Sequence, residues 1–354
     1  MLEYQIPEKI RDLVPYEPIS GSYRVRLDAN ESYLNLSETQ LQKVFARLEN
    51  EVSYNRYPDP MAAKLCHAFA GYYGISPELV TAGNGSDELI TLIYGTLFDP
   101  TMKVGTFAQD FSMYRVYAQC YGIPTVTLPK REDLAIDVDQ TIEQVNALGL
   151  SGLVFSNPCN PTGQGLKREE VLRLVRGVKA LVILDEAYMD FWDQSLLQEV
   201  EQFDNLLILK TCSKAIGLAG IRIGLAITTP KLSRLLKAVK SPYNVNSVSQ
   251  IYGEELLKEH DYLRQAARSI REQAVKLEAM LRKLAEQYPK LGQVYPSVTN
   301  FVYLKTSESQ AIYQGLQKQG VAVRLMGGYL RICAGTEEEQ QILEEALDLV
   351  LAAL

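Results

Sequence analysis

The residues best suited to chemistry lie in Thr211-Cys-Ser-Lys-Ala-Ile-Gly-Leu-Ala-Gly-Ile-Arg222. Lys214 follows two hydroxyls, Thr211 and Ser213, and precedes glycines at 217 and 220 and the guanidinium of Arg222. A neutral lysine held against an aldehyde forms a Schiff base, and hydroxyls, backbone amides and one cation are the groups that hold a phosphate. Three further stretches carry polar groups of the same usefulness. In Asn157-Pro-Cys-Asn-Pro-Thr-Gly163 the prolines and glycine stiffen a turn that aims the Asn160 amide inward. Asp185-Glu-Ala-Tyr188 brings a carboxylate and a phenol. In Gly83-Asn-Gly-Ser-Asp-Glu88 the glycines let amides converge where a helix begins, which favours an anion beside Ser86 and Asp87. That stretch matches neither a Walker loop nor a dinucleotide fingerprint.

The elements around these stretches place them together. Short apolar strands at 79–83, 102–106, 124–128, 152–156, 181–184 and 206–210 alternate with helices at 89–98, 111–121 and 139–147. The alternation predicts an α/β fold with a mostly parallel sheet covered on both faces. Ligands on such a sheet bind beyond the carboxyl ends of the strands. Asn160, Asp185, Tyr188, Thr211, Ser213 and Lys214 all follow strands, so they converge on one rim.

Upstream, residues 1–35 read as an extended arm, and two amphipathic helices follow, one capped near Ser37 and one over 61–73. Within the arm, Pro15-Tyr16-Glu17-Pro18 holds Tyr16 between two fixed φ angles. Asn55-Arg-Tyr-Pro-Asp-Pro60 presents Tyr57 in a second proline-stiffened loop. Downstream come a helix at 230–240, a loop at 241–246 and a long periodic helix at 262–287, with His260 solvated just before it. Strands at 300–304, 321–324 and 329–333 with helices at 310–319 and 337–351 make a smaller domain.

Composition narrows the function classes. A net charge of −7 over 354 residues opposes nucleic acid or an anionic membrane as partner. Five cysteines without a CxxC pair fit reduced thiols and a cytoplasmic location, and two histidines leave no basis for a histidine metal site. No stretch reads as a signal peptide or membrane span.

The polar set suits pyridoxal phosphate. Asp185 would keep the ring nitrogen protonated, Tyr188 and Asn160 would donate to the ring hydroxyl oxygen, and Phe111 would stack on the ring. Thr211, Ser213, Arg222 and the amides around Ser86 and Asp87 would hold the phosphate. Lys214 would anchor the cofactor and then move the proton at the substrate α-carbon.

The motifs Tyr57-Pro58, Gly83-Asn-Gly-Ser-Asp-Glu88, Asn160-Pro-Thr-Gly163, Asp185-Glu-Ala-Tyr188, Ser213-Lys214-Ala215, Gly217-Leu-Ala-Gly-Ile-Arg222 and Arg331-Ile332 occur in this order. In them the chain resembles the fold type I pyridoxal-phosphate aminotransferases, and within that group the histidinol-phosphate aminotransferases. The resemblance implies a large cofactor-binding domain over 36–245, with a seven-stranded, mostly parallel sheet between helices. It also implies a smaller α+β domain over 246–354 that includes part of the arm, 1–35. It implies a homodimer in which Tyr57 reaches the neighbouring subunit's cofactor phosphate, and Tyr16 near the substrate. Arg331, with Arg324 as a second anion contact, would bind the substrate carboxylate or phosphate. The implied reaction is ping-pong transamination between histidinol phosphate and 2-oxoglutarate in histidine biosynthesis, through a Lys214 Schiff base. Aromatic amino acid transamination and a lyase of the threonine-phosphate decarboxylase type use the same residues and remain open, and a non-catalytic pyridoxal-binding regulator is the third class.

Overall fold

The computed structural model describes residues 4–15 and 17–354. Its twelve strands are β1 (Val25–Leu27), β2 (Val80–Gly83), β3 (Val104–Phe107), β4 (Thr125–Leu128), β5 (Gly152–Ser156), β6 (Leu181–Asp185), β7 (Leu206–Thr211), β8 (Gly224–Thr228), β9 (Gln293–Val294), β10 (Phe301–Lys305), β11 (Val321–Leu325) and β12 (Tyr329–Cys333). Seven form one sheet in the order β2-β8-β7-β6-β5-β3-β4, and five form a second in the order β1-β11-β12-β10-β9.

The large sheet is the expected mostly parallel one, and its strands read as continuous apolar runs because both faces are covered. Alternation along β7 sorts its side chains between two cores. Leu206 and Ile208 pack with Leu65, Phe69 and Val171, whereas Leu207 and Leu209 pack with Ile90, Ile93 and Tyr114. In the second sheet, Phe301, Val323 and Ile332 share a core with Ile270 and Leu277 of the helix His260–Gln287 and Leu347 of the helix Glu337–Ala352.

Several elements depart from the sequence reading. Strand β8 was not expected, and it inserts antiparallel between β2 and β7. It begins at Gly224, where an added Cβ would stand 2.3 Å from the Gly85 carbonyl carbon, so the two chains cross at contact distance. Strand β1 arises from the arm and pairs parallel with β11. Three residues are too few for a period to register. The helices Arg168–Gly177 and Ser247–Leu257 stand where the sequence reading expects no element. His260 opens the long helix rather than preceding it, and its ring packs edge-on to Tyr72 at 5.3 Å instead of standing in solvent. Among the described residues no helix is long and apolar enough to cross a membrane.

Candidate active site

The carboxyl ends of β5, β6 and β7, the first turn of the helix Ser86–Leu97 and the segment after β1 enclose a cavity of about 450 Å³. Asp185, the last residue of β6, stands on its floor and is 5% exposed. The Tyr114 hydroxyl donates to Oδ2 at 2.8 Å, and the Ala187 amide donates to Oδ1 at 3.0 Å. Burial pushes the Asp185 carboxyl up to about 6, against the pull of these two donors.

Lys214 enters the cavity from the loop after β7. Its Nζ donates to the Ala29 carbonyl at 3.1 Å and stands 5.8 Å from the centre of the Tyr188 ring. The Tyr188 hydroxyl accepts a hydrogen bond from Asn30 Nδ2 at 2.9 Å. One lysine amine, one phenol and one carboxylate therefore line the same cavity.

The same cavity holds a cradle of donors. Gly85, at φ +82°, precedes the helix Ser86–Leu97 and brings no capping side chain, so the first-turn amides keep no side-chain partner at their head. Ser86, Asp87, Thr211, Ser213 and Arg222 line the same region. Thr211 Oγ1 lies 3.0 Å from Ser213 Oγ, which accepts from Arg222 Nη1 at 3.4 Å. Arg222 Nη2 is 3.5 Å from Asp87 Oδ2. Arg222 itself has φ +59°, and an added Cβ on Gly85 would meet Nη2 at 2.6 Å. Glycine at 85 is thus what lets the guanidinium close over the helix start.

The third group is an arginine with its tether. Arg331, on β12, donates through Nη1 to Asn160 Oδ1 at 2.6 Å and through Nη2 to the Asp28 carbonyl at 2.8 Å, while its buried Nε has no protein partner. The Asn160 backbone N–H donates to Ser156 Oγ at 3.0 Å, and the Ser156 hydroxyl donates to Asp110. Burial pushes the Asp110 carboxyl up, and nearby Lys130 opposes that rise. Arg324 faces Arg331 in the β11–β12 register and lines the cavity.

Most residues singled out from sequence therefore meet in one cavity, Phe111 included. Tyr57 does not: it is 80% exposed, outside its own chain's cavity, with its ring stacked on Tyr243 at 4.4 Å. Tyr16 lies outside the described residues. Sequence reasoning missed Tyr114, Asp110, Asn30, Tyr117 and Met326. Tyr114 sits within the amphipathic helix Met113–Tyr121, where a tyrosine reads as core, and no spacing ties it to Asp185. Tyr117, one turn on, lines the cavity, and burial together with the adjacent Asp87 pushes its phenol up.

This large sheet, with a lysine delivered to its rim beside a buried carboxylate, is the arrangement of the fold type I transferases. Residues 24–347 match the family model described as aminotransferase class I and II, and the chain belongs to that family. A histidinol-phosphate aminotransferase of Clostridium kluyveri is 35% identical over 356 residues, which cover 99% of this chain and 100% of that one. The histidinol-phosphate aminotransferase of Sinorhizobium meliloti, solved in complex with pyridoxal-5'-phosphate, superposes with a TM-score of 0.87 at 23% identity, covering 99% of this chain and 98% of the other. An L-threonine-O-3-phosphate decarboxylase of Porphyromonas gingivalis shares the fold, with a TM-score of 0.79 at 20% identity over 93% of this chain and 99% of the other.

Proposed function

We propose that the protein is a pyridoxal-phosphate-dependent aminotransferase that exchanges an amino group between histidinol phosphate and 2-oxoglutarate. The observation that carries this reading is the meeting of Lys214, the buried Asp185 and the donor cradle at Gly85–Ser86 in one cavity. The full-length similarity to the Clostridium kluyveri histidinol-phosphate aminotransferase supports the choice of substrate.

The donor set fits the cofactor. Ser86, Thr211, Ser213, Arg222 and the first-turn amides would hold its phosphate, because they combine hydroxyls, a guanidinium and a helix N-terminus. Asp185 would hold the proton on the ring nitrogen, and Tyr188 and Asn160 would face the ring hydroxyl oxygen. Phe111, at the cavity wall, would limit the tilt of the ring. Bound there, pyridoxal phosphate supplies an aldehyde carbon for the amino group and a ring that withdraws electrons from the substrate α-carbon.

The chain's own residues supply the rest. Lys214 is the base and acid at the α-carbon: its amine must be neutral to accept that proton and charged to return it. The carbonyl of Ala29 accepts from Nζ and sets its direction. Arg331 and Arg324 bind the anionic end of either substrate, since a guanidinium donates in the same forked geometry to carboxylate and phosphate. Asn160 and the Asp28 carbonyl hold Arg331 in place from two sides. Tyr16 would assist from the arm.

We read residues 1–35, 36–245 and 246–354 as arm, large domain and small domain; the two separate sheets support two units, while Leu256, Leu257 and Leu263 pack in the large core. The exposed Tyr57 supports a homodimer in which this ring serves the neighbouring subunit's phosphate. The reaction class supports a cytoplasmic location.

The direct test is borohydride reduction of the cofactor-loaded protein followed by peptide mapping. The account expects the reduced cofactor on Lys214 alone. Label on another lysine, with Lys214 unmodified, would overturn the assignment.

A further inference from the structure

We infer that Asn30 is a positioning residue that holds the Tyr188 hydroxyl with its proton turned into the cavity, and that the Cys333 thiol latches Asn30 in the orientation this requires. The inference rests on the reading of Tyr188 as a donor to the cofactor's ring oxygen.

The geometry begins at a backbone position that is rare for a side-chain-bearing residue. Asn30 has φ +55°, which asparagine tolerates better than most residues, and it is 1% exposed. Its main chain is fixed at both polar atoms. The amide donates to Cys333 Sγ at 2.9 Å, and the carbonyl accepts from Asn300 Nδ2 at 3.1 Å. The side chain then bridges two residues far apart in the chain. Oδ1 accepts from Cys333 Sγ at 3.0 Å, and Nδ2 donates to the Tyr188 hydroxyl at 2.9 Å.

The direction of that last bond follows from the thiol. Cys333 Sγ already accepts the Asn30 amide hydrogen, so its own hydrogen is left for Oδ1. Burial pushes this thiol up to about 11, against the charges of Arg331 and Lys214, so it keeps its hydrogen at neutral pH. With Oδ1 occupied, only the Nδ2 end can face Tyr188. Nδ2 donates to the phenol oxygen, and the phenol's own hydrogen has to point elsewhere. The Tyr188 and Phe301 rings lie edge-on with centres 5.2 Å apart, Lys214 Nζ lies 5.8 Å from the Tyr188 ring centre, and among the described residues the hydroxyl donates a hydrogen bond to neither. The cavity is the remaining direction. Were Asn30 reversed, Oδ1 would take the phenol hydrogen and leave no donor for the ring oxygen.

The experiment reads the cofactor rather than turnover. A phenol donating to the ring oxygen favours its ionised form, so losing that donor raises the pH midpoint of the visible absorbance change of the cofactor-loaded protein. Tyr188→Phe and Asn30→Gly, the latter chosen because glycine adopts the left-handed backbone freely, should each raise the midpoint by about one pH unit. The double variant should match Tyr188→Phe alone. Cys333→Ala should raise the midpoint, and Cys333→Ser, which keeps a donor, should restore it. A midpoint unchanged by Asn30→Gly while Tyr188→Phe raises it would overturn the inference. So would an Asn30→Gly effect that persists in full on top of Tyr188→Phe. If Asn30→Gly does not fold, an unmoved midpoint in Cys333→Ala overturns it instead. A Tyr188→Phe variant with the wild-type midpoint would remove the underlying reading of Tyr188, and the inference with it.

Discussion

The Tyr114 hydroxyl donates to Asp185 Oδ2 at 2.8 Å from a fully buried position, so the carboxylate at the floor of the cavity is held by a residue 71 positions away. The bond stabilises the ionised carboxylate that the ring nitrogen requires. Tyr114→Phe should therefore lower kcat roughly tenfold with little change in KM, since a one-unit change in carboxylate pKa corresponds to one decade. Steady-state kinetics check this, and an unchanged kcat would show that the Ala187 amide holds Asp185 unaided.

The raised carboxyl of Asp185 also marks the stability of the cofactor-free protein. Its folded value of about 6 lies above the ordinary 3.8, because burial disfavours the charge. Ionisation is then harder in the folded state. The protein loses stability as pH rises from about 4 to about 6, and the loss stays constant above that. Asp185→Asn removes the loss, on the order of 3 kcal/mol. Denaturant titrations of the two cofactor-free proteins should diverge across that pH window, with the variant more stable at pH 7. Parallel curves would contradict the assigned shift.

Gly85→Ala tests the cradle. The new methyl would meet Arg222 at 2.6 Å on a backbone at φ +82°. Cofactor affinity should fall by at least a factor of about 10, since displacing one charge-assisted contact costs roughly 1.5–3 kcal/mol. Fluorescence titration with pyridoxal phosphate measures it.

The legible part of the site and the hidden part differ for a physical reason. Asp185 and Lys214 follow apolar runs, 181–184 and 206–209, and a polar residue after such a run stands out by contrast. Six of the seven strands of the sheet were legible from such runs. Tyr114 and Asp110 act through hydrogen bonds to Asp185 and Ser156, residues distant in sequence, and their own neighbours in sequence carry no sign of it. Asn30 and Cys333 are 303 residues apart, and β1, which brings them together, has three residues. Strand β8 was hidden because its glycine start serves a backbone crossing rather than a period.

Beneath the loop 185–190 lies a buried ion cluster. Lys210 is 2% exposed, donates to Asp190 Oδ1 at 2.8 Å and stands 3.7 Å from Glu186 Oε2. Its ammonium also lies 4.8 Å from the centre of the Tyr73 ring. Lys210→Met would leave two carboxylates buried against each other, at a cost of about 3–5 kcal/mol. Thermal unfolding should show a lowered Tm, and a variant as stable as the wild type would mean that the carboxyls take up protons without penalty.

The central claim is the reaction itself, and single-turnover absorbance tests it most directly. The purified, cofactor-loaded protein is mixed separately with histidinol phosphate, phenylalanine and threonine phosphate, and carbon dioxide is followed in parallel. The account expects rapid loss of the visible band with histidinol phosphate, much slower loss with phenylalanine, and no carbon dioxide from threonine phosphate. Preference for phenylalanine would make the protein an aromatic amino acid aminotransferase, and carbon dioxide from threonine phosphate would make it a lyase; either result contradicts the account.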